Sequence, residues 1–261
     1  MDIRLDGKVA LITGASRGIG QELVRQFARG GAKVVLCARR TEPLRQLAAE
    51  LTSEGRDVLA LAADVTRPDD VASLVGQTLA RHGRLDVLIN NVGIAGPTKA
   101  IEDTDPAEWN DTLAGNLTSS FLCLRAVVPA MRKNGGGAVV NIGSATGKRA
   151  LPYRVGYAAA KMGLIGMTRT AAEELGPHGI RVNCICPGAV DGERLNEIIA
   201  GQAAQRGATA EQIKQAFQGF SPLKALVQAD DVAHLALFLA SDRARHMTGQ
   251  DINVTAGIVM Y

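Results

Sequence analysis

Residues 9–20 read VALITGASRGIG, and this stretch carries the strongest local signal for the fold. Five apolar or β-branched residues come first, as in a strand that is buried on both faces. They lead into a turn with glycines at positions 14, 18 and 20, and apolar residues at helical spacing follow. Glycines permit a tight turn and let the backbone approach a bound ligand closely. The stretch therefore predicts a strand, a tight turn and a helix.

Short apolar runs alternate with longer helical patterns along all 261 residues. Strands are predicted at residues 9–13, 33–37, 58–62, 87–89, 138–142, 181–185 and 252–254. Each of the first six is followed by apolar residues at three- and four-residue spacing, which is typical of a helix with one buried face. Apolar strands separated by helices imply a parallel sheet covered on both sides. We predict an α/β chain with a doubly wound parallel sheet of about seven strands, in a single domain over residues 1–261.

The composition excludes several classes of protein. Hydrophobic residues make up 46% of the chain but aromatic residues only 3%, so stacking platforms for single-stranded nucleic acid are not expected. A net charge of +3, spread along the chain, is too small for a nucleic-acid or membrane surface. The N-terminus shows no secretion signal, and no uninterrupted apolar stretch approaches the ~20 residues of a membrane span. The four cysteines lie in apolar runs, as expected for reduced thiols in a cytoplasmic protein.

One region departs from the alternating pattern. Residues 189–228, called the lid segment below, are rich in polar and small residues and lie between the sixth strand and a late helix near Asp230. We predict that this segment covers the ligand site as a helical insertion, with a mobile loop that has no catalytic part as the alternative.

The glycine turn has the composition of a phosphate-binding site. A helix that starts directly after such a turn presents unpaired N–H groups and the positive end of its dipole to an anion. The spacing is Gly-x-x-x-Gly-x-Gly, and its place between the first strand and the first helix favours a dinucleotide cofactor. The predicted cofactor contacts in this turn are Gly14, Ser16, Arg17, Gly18, Ile19 and Gly20.

The end of the second strand favours NADP(H) over NAD(H). Proteins that bind NAD commonly place an acidic residue there to bond the ribose 2′-hydroxyl, whereas this chain has Ala38 followed by Arg39. A guanidinium is suited to grip a 2′-phosphate, and Arg17 supplies a second positive charge. NAD(H) is still possible because Ala38 is neutral. After the third strand, Asp64 is a candidate partner for the adenine amino group and Val65 for the ring.

A catalytic pair is predicted from Tyr157 and Lys161. The two residues are four apart in a helical pattern, so their side chains leave one face about 6 Å apart along the axis. A free tyrosine, with a pKa near ~10, accepts protons poorly at neutral pH. A neighbouring ammonium stabilises the phenolate and makes the tyrosine a better base.

Two polar residues complete the predicted site. Ser144 follows the fifth strand, at the carboxyl edge where open α/β sheets bind ligands, and its hydroxyl is placed to hold a substrate oxygen. Asn116 lies in an otherwise apolar helical pattern, where a buried amide needs partners. We predict that Asn116 holds a water that links Lys161 to solvent.

Together these motifs resemble the short-chain dehydrogenase/reductase family, in its form of about 250 residues. The resemblance runs from Lys8 to the C-terminus and includes the sequence NNVG at residues 90–93, where the family usually has alanine instead of Val92. It implies a Rossmann fold, hydride transfer at nicotinamide C4, a homotetramer built as a dimer of dimers, and a bond from Lys161 to the nicotinamide ribose. It also adds cofactor contacts to those of Tyr157 and Lys161, namely Asn91, Gly93, Pro187, Gly188 and Val190.

The segment before Tyr157 suggests an anionic substrate. Lys148, Arg149 and Arg154 fall within seven residues, and Arg154 is three residues before the tyrosine. We predict that Arg154 and the nearby Tyr153 contact a small polar substrate such as a sugar acid or hydroxy acid. The alternative is that these cations are solvated or lie at a subunit contact.

Three functions compete. The leading one is an NADP(H)-dependent oxidoreductase that interconverts a secondary alcohol and a ketone, including 3-oxoacyl thioesters. The second is an NAD-linked catabolic dehydrogenase of a sugar or sugar acid. The third is a non-catalytic, cofactor-binding regulatory protein, which would be expected to have lost part of the set Asn116, Ser144, Tyr157 and Lys161.

Overall fold

A computed structural model describes residues 3–261 and contains the predicted seven-stranded sheet. Strand ends differ from the prediction by a few residues at most, the sixth strand being extended at both ends. The strands are β1 (Val9–Thr13), β2 (Lys33–Ala38), β3 (Val58–Ala62), β4 (Val87–Asn90), β5 (Gly137–Ile142), β6 (Ile180–Pro187) and β7 (Asp251–Val254).

The strands are all parallel, in the order β3-β2-β1-β4-β5-β6-β7. The chain moves outward from β1 to β3 and then returns to place β4 against the other side of β1. Leu11 of β1 therefore pairs with Val35 on one side and Leu88 on the other. This reversal opens a crevice at the carboxyl ends of β1 and β4, where doubly wound sheets bind ligands.

Helices cover both faces of the sheet. They are α1 (Ile19–Arg29), α2 (Thr41–Ser53), α3 (Pro68–His82), α4 (Pro106–Leu113), α5 (Ser119–Lys133), α6 (Val155–Leu175), α7 (Glu193–Arg206), α8 (Ala210–Phe220) and α9 (Ala229–Ala240). Successive strand residues point to opposite faces. Ile12 accordingly packs with α1, α2 and α9, whereas its neighbour Leu11 packs with α3, α5 and α6. The predicted doubly wound Rossmann fold is confirmed.

One long helical segment runs without interruption through α4, a π-helical turn (Ala114–Thr118) and α5. By length and composition alone, Pro106–Lys133 is apolar enough to cross a membrane, which the sequence analysis did not anticipate. Its apolar residues Cys123, Val127 and Met131 pack against the sheet with α3 and α6. The segment is a core helix of this domain.

The lid segment is helical. Its two helices, α7 and α8, pack on each other through Leu195, Ile199 and Ile213. The ends of the segment are tied together because Val190 and Val227 form a parallel bridge, with backbone bonds on both sides. The late helix α9 follows at Ala229, one residue before the predicted start.

All four cysteines are free and buried. Burial raises the pKa of the Cys123 thiol to about 12, so this thiol is protonated and unreactive at neutral pH. Cys184 and Cys186 share one face of β6, with their sulfur atoms 3.9 Å apart.

Candidate active site

A cleft of about 1600 Å³ runs along the carboxyl ends of the strands and beneath the lid segment. All of the residues predicted to contact the cofactor line this cleft, although they come from six separate parts of the chain. They are Gly14, Ser16, Arg17, Gly18, Ile19, Gly20, Arg39, Asp64, Val65, Asn91, Gly93, Tyr157, Lys161, Pro187, Gly188 and Val190.

The glycine turn is built as its sequence requires. Gly14 and Gly18 have φ angles of 69° and 53°, in the left-handed region that other residues rarely adopt. A side chain at Gly20 would place its Cβ 2.1 Å from the Gly14 carbonyl oxygen, so only glycine fits there. Within residues 3–261 no side chain caps the first turn of α1, so the positive end of its helix dipole is open to the cleft.

The ends of β2 and β3 supply one cation and one anion. Arg39 is largely exposed, with its Nη1 3.9 Å from Asp64 Oδ2. Asp64 accepts hydrogen bonds from the backbone and hydroxyl of Thr66. Partial burial raises the pKa of Asp64, but these bonds and the nearby arginines outweigh it and hold the pKa below its ordinary value. Val65 is buried beside it.

Tyr157 and Lys161 lie one turn apart on α6 and face the cleft. The Lys161 Nζ lies 5.7 Å from the centroid of the Tyr157 ring and donates a 2.8 Å hydrogen bond to the carbonyl of Ile142, at the end of β5. Only 3% of Lys161 is exposed. A nearly dry ammonium is therefore fixed beside the phenol, where its field is weakly screened.

The surroundings make the phenol more acidic. Burial by itself raises the pKa of Tyr157, but the positive charges of Lys161, Arg194 and Arg154 and a hydrogen bond from Ser144 lower it below its ordinary value. The Ser144 hydroxyl also accepts from the N–H of Thr146, so it is held in place. Burial lowers the pKa of Lys161 as well, and the negative charge of a phenolate opposes this.

Asn116 lies in the π-helical turn and is fully buried behind Gly93, not at the cleft surface. Its Nδ2 donates to the carbonyls of Thr112 and Ile94 at 2.8 and 3.1 Å. Within residues 3–261 its Oδ1 has no hydrogen-bond partner. That oxygen lies 2.7 Å from the place where a Gly93 side chain would begin, and Lys161 Nζ lies 3.6 Å from the same place. A π-turn inside a helix often marks a functional site, and no sequence pattern predicted this one.

Arg154 precedes the first residue of α6 and is 2% exposed. Its guanidinium carbon stands 4.8 Å from the centroid of the Tyr157 ring, and its Nη2 donates to the carbonyl of Ala95 at 2.7 Å. Its Nε and Nη1 have no partner in the described part of the chain. Burial lowers the pKa of Arg154. The cleft therefore contains a buried cation with free donors next to the phenol.

The other residues of the basic segment have partners away from Tyr157. Lys148 pairs with Asp251 at 2.6 Å and also bonds Asn253 and the carbonyl of Tyr261, which anchors the end of the chain. Arg149 stacks over Phe220 of the lid segment, 5.1 Å from the ring centroid. Tyr153 has a φ of 66° and bonds Lys99 through its carbonyl, and it is not among the described residues that line the cleft.

Two lid residues line the cleft beside the predicted site. Gln202 is buried on α7, donates to the carbonyl of Pro152, and has an Oε1 without a partner among residues 3–261. Arg194, also on α7, reaches the carbonyl of Gly93 at 2.5 Å. Nothing in the spacing of either residue along the sequence pointed to the site. No group of three or more potential metal ligands occurs within residues 3–261.

Comparison with known proteins agrees with this geometry. A family model described as Enoyl-(Acyl carrier protein) reductase matches residues 14–259. D-beta-hydroxybutyrate dehydrogenase of Rhizobium meliloti is 38% identical over 96% of this chain and 98% of its own length. The 3-oxoacyl-[acyl-carrier-protein] reductase FabG of Staphylococcus epidermidis is 34% identical over 97% of this chain and 99% of its own length. Levodione reductase has a similar structure, with a TM-score of 0.92 and 33% identity over 97% of this chain and 98% of that one.

The fold and the cleft define a dinucleotide-binding oxidoreductase of the α/β class. The chain belongs to the short-chain dehydrogenase/reductase family, in its form of about 250 residues, and acts on alcohol or ketone substrates.

Proposed function

We propose that this protein is an NADP(H)-dependent oxidoreductase that interconverts a secondary alcohol and a ketone on a small substrate with an anionic group. The observation that carries the proposal is one cluster: the phenol of Tyr157 between the buried ammonium of Lys161 and the buried guanidinium of Arg154. The first cation favours proton transfer, and the second has free donors for an anion.

The chain fits a dinucleotide. The glycine turn leaves space that a Cβ at Gly20 would close, and α1 begins there without a side-chain cap. In this proposal the turn and α1 would hold the pyrophosphate, Arg39 would hold a 2′-phosphate with Arg17 as a second positive charge nearby, and Asp64 and Val65 would contact the adenine. Lys161 bonds the nicotinamide ribose. The chemistry that a bound nicotinamide would supply is the transfer of a hydride to or from the substrate carbon.

Binding of the substrate oxygen and transfer of its proton are assigned to different side chains. Ser144 holds the substrate oxygen by a hydrogen bond, and the phenolic oxygen of Tyr157 gives up or takes the proton on that oxygen. Lys161 stabilises the phenolate form of Tyr157. Asn116, whose free Oδ1 lies near the Lys161 ammonium, holds a water through which the proton reaches solvent.

The anionic end of the substrate is assigned to Arg154, with the Oε1 of Gln202 available to a hydroxyl or a bridging water. A buried guanidinium without an anion is costly, so a carboxylate recovers much of that cost. The relative named for D-beta-hydroxybutyrate acts on a hydroxy acid, and this supports a short hydroxy acid over a long acyl thioester. A screen of hydroxy acids, sugar acids and 3-oxo acids against neutral ketones, with NADP(H) and NAD(H), tests the proposal. Turnover of neutral ketones alone would contradict it.

The cofactor preference rests on Arg39. Replacing it with glutamine is expected to raise the Kd for NADPH roughly tenfold, because a charge-assisted bond to the 2′-phosphate is lost. The Kd for NADH is expected to change less than about twofold, since NADH has no such phosphate. Titration of protein fluorescence measures both constants.

Arg67→Gln is the matched control, because Arg67 is also an exposed cation near Asp64 but does not line the cleft. If Arg39→Gln raised the Kd values for NADPH and NADH equally, the hypothesis of an NAD-linked dehydrogenase would replace that of an NADP-linked one. The hypothesis of a non-catalytic, cofactor-binding regulatory protein would be supported only if the cofactor bound and no compound in the screen reacted.

We further propose a cytoplasmic homotetramer, a dimer of dimers. Phe121 on α5 and Met162 on α6 are 49% and 52% exposed, on the helices that cover the same face of the sheet. Apolar side chains exposed together favour a subunit contact. Sedimentation equilibrium is expected to give four times the mass of the chain. The substitution Phe121→Glu is expected to lower this measured mass. A monomer at micromolar concentration would contradict the assembly.

A further inference from the structure

The first turn of α7 brings a charged residue to the catalytic centre that the mechanism above does not use. Arg194 is the second residue of α7, and its Nη2 donates to the carbonyl of Gly93 at 2.5 Å. Gly93 lies in the loop after β4 and lines the same cleft as the lid segment. The side chain therefore crosses from the lid segment to the wall that holds Asn116.

Arg194 and Lys161 enter the same small space. The position that a Gly93 Cβ would take lies 3.6 Å from Lys161 Nζ and 3.8 Å from Arg194 Nη1. The space is open because residue 93 has no side chain. Two cations from different parts of the fold thus converge in front of the phenol, which costs free energy unless a negative charge is present between them.

The groups facing Tyr157 come from every element around it. They are Lys161 on its own helix, Arg154 before that helix, Arg194 from α7 and the Ser144 hydroxyl after β5, with the thiols of Cys184 and Cys186 behind Lys161. After burial, which raises the pKa of Tyr157, the charges of Lys161 and Arg194 are the two largest influences and both lower it. Arg194 also lowers the pKa of Lys161.

A second contact fixes the same turn of α7. Glu193 and Glu197 lie one helical turn apart, and each places a carboxylate oxygen 3.3 Å from Nη1 of Arg17 in the glycine turn. Arg194 therefore sits between two carboxylates that attach α7 to the wall formed by the glycine turn. The position of its guanidinium depends on how the lid segment is seated on both walls of the cleft.

We propose that Arg194 is a positioning residue of the active site, a cation carried by the lid segment that stabilises the phenolate of Tyr157 when α7 is seated against Gly93. The inference rests on the proposed role of Tyr157 as the proton-transfer group. In this inference the lid segment controls the stability of the Tyr157 phenolate as well as access to it.

Ultraviolet difference titration of the purified protein tests this without any substrate or cofactor. The chain has only three tyrosines, so the Tyr157→Phe protein supplies the reference that isolates the Tyr157 signal. Arg194→Gln is expected to move the ionisation of Tyr157 to higher pH. At the wild-type midpoint, the tyrosinate signal of Tyr157 should fall roughly fivefold, and Arg194→Lys should restore most of it.

Arg206→Gln is the matched control, because Arg206 is an exposed arginine at the other end of α7 that also lines the cleft. An unchanged Tyr157 titration in Arg194→Gln, or an equal shift in Arg206→Gln, would overturn the inference. Circular dichroism checks that each variant is folded, and the lysine variant decides the case if glutamine disturbs the lid segment.

The same titration separates this inference from the proposed function. If no substrate reacts, the proposed function fails, yet the effect of Arg194 on Tyr157 is still measured. If the enzyme is active and the titration does not move, only the inference fails. In the active enzyme, the acid limb of kcat for alcohol oxidation should move to higher pH in Arg194→Gln, because oxidation requires the phenolate.

Discussion

Replacing Tyr157 with phenylalanine is expected to lower kcat about 10³-fold in both directions, the largest catalytic effect we expect from a single substitution. In the proposed function the phenolic oxygen exchanges a proton with the substrate oxygen, and positioned acid–base groups contribute factors of about 10²–10⁴. The ring of the variant still fills the space beneath Arg154, so the change removes the chemistry and leaves the packing. Steady-state rates in both directions measure the loss.

The pH dependence gives this prediction a second readout. Because Lys161 and its neighbours hold the pKa of Tyr157 below its ordinary value, the wild-type rate of alcohol oxidation should fall as pH drops through that pKa. The residual rate of Tyr157→Phe should lack this limb. Cofactor affinity should change much less than kcat. A variant that kept more than about a tenth of the wild-type kcat would remove Tyr157 from its assigned role.

Arg154→Leu is expected to reduce kcat/KM for a short 3-oxo acid such as acetoacetate about 10²-fold. A buried charge-assisted pair is worth several kcal/mol when one partner is removed, and Arg154 is 2% exposed with donors that no other described residue uses. For the neutral ketone 2-pentanone, whose chain has the same number of heavy atoms, kcat/KM should change little. The variant should therefore lose its selectivity for acetoacetate over 2-pentanone.

Two controls accompany this prediction. Arg149→Leu removes a cation from the same segment, but Arg149 stacks on Phe220 and should leave the selectivity unchanged. Arg154→Lys keeps the charge and should recover part of the preference for the acid. Equal losses of kcat/KM for acetoacetate and 2-pentanone would mean that Arg154 supports the fold or the Tyr157 ring. The proposal of an anionic substrate would then be wrong.

The sequence determined the fold, and it identified the side chains to which the proposed chemistry is assigned. The strands and the glycine turn could be predicted because β1 to β5 consist mainly of apolar residues on both faces and only glycine fits the backbone at Gly14 and Gly20. The pairing of Tyr157 with Lys161 could be predicted because residues four apart lie on one face of a helix. These are local constraints, and each is satisfied within one or two neighbouring elements.

Only the tertiary structure decided which polar groups share the site and which do not. Lys148 and Arg154 are similar in sequence context, yet one is bound to Asp251 beneath the C-terminal residues and the other is buried against Tyr157. The free oxygen of Asn116 and the approach of Arg194 to Gly93 depend on a π-turn and on how α7 is seated. Side-chain direction and charge pairing are set by contacts between distant segments, and such contacts leave no periodic pattern in the chain.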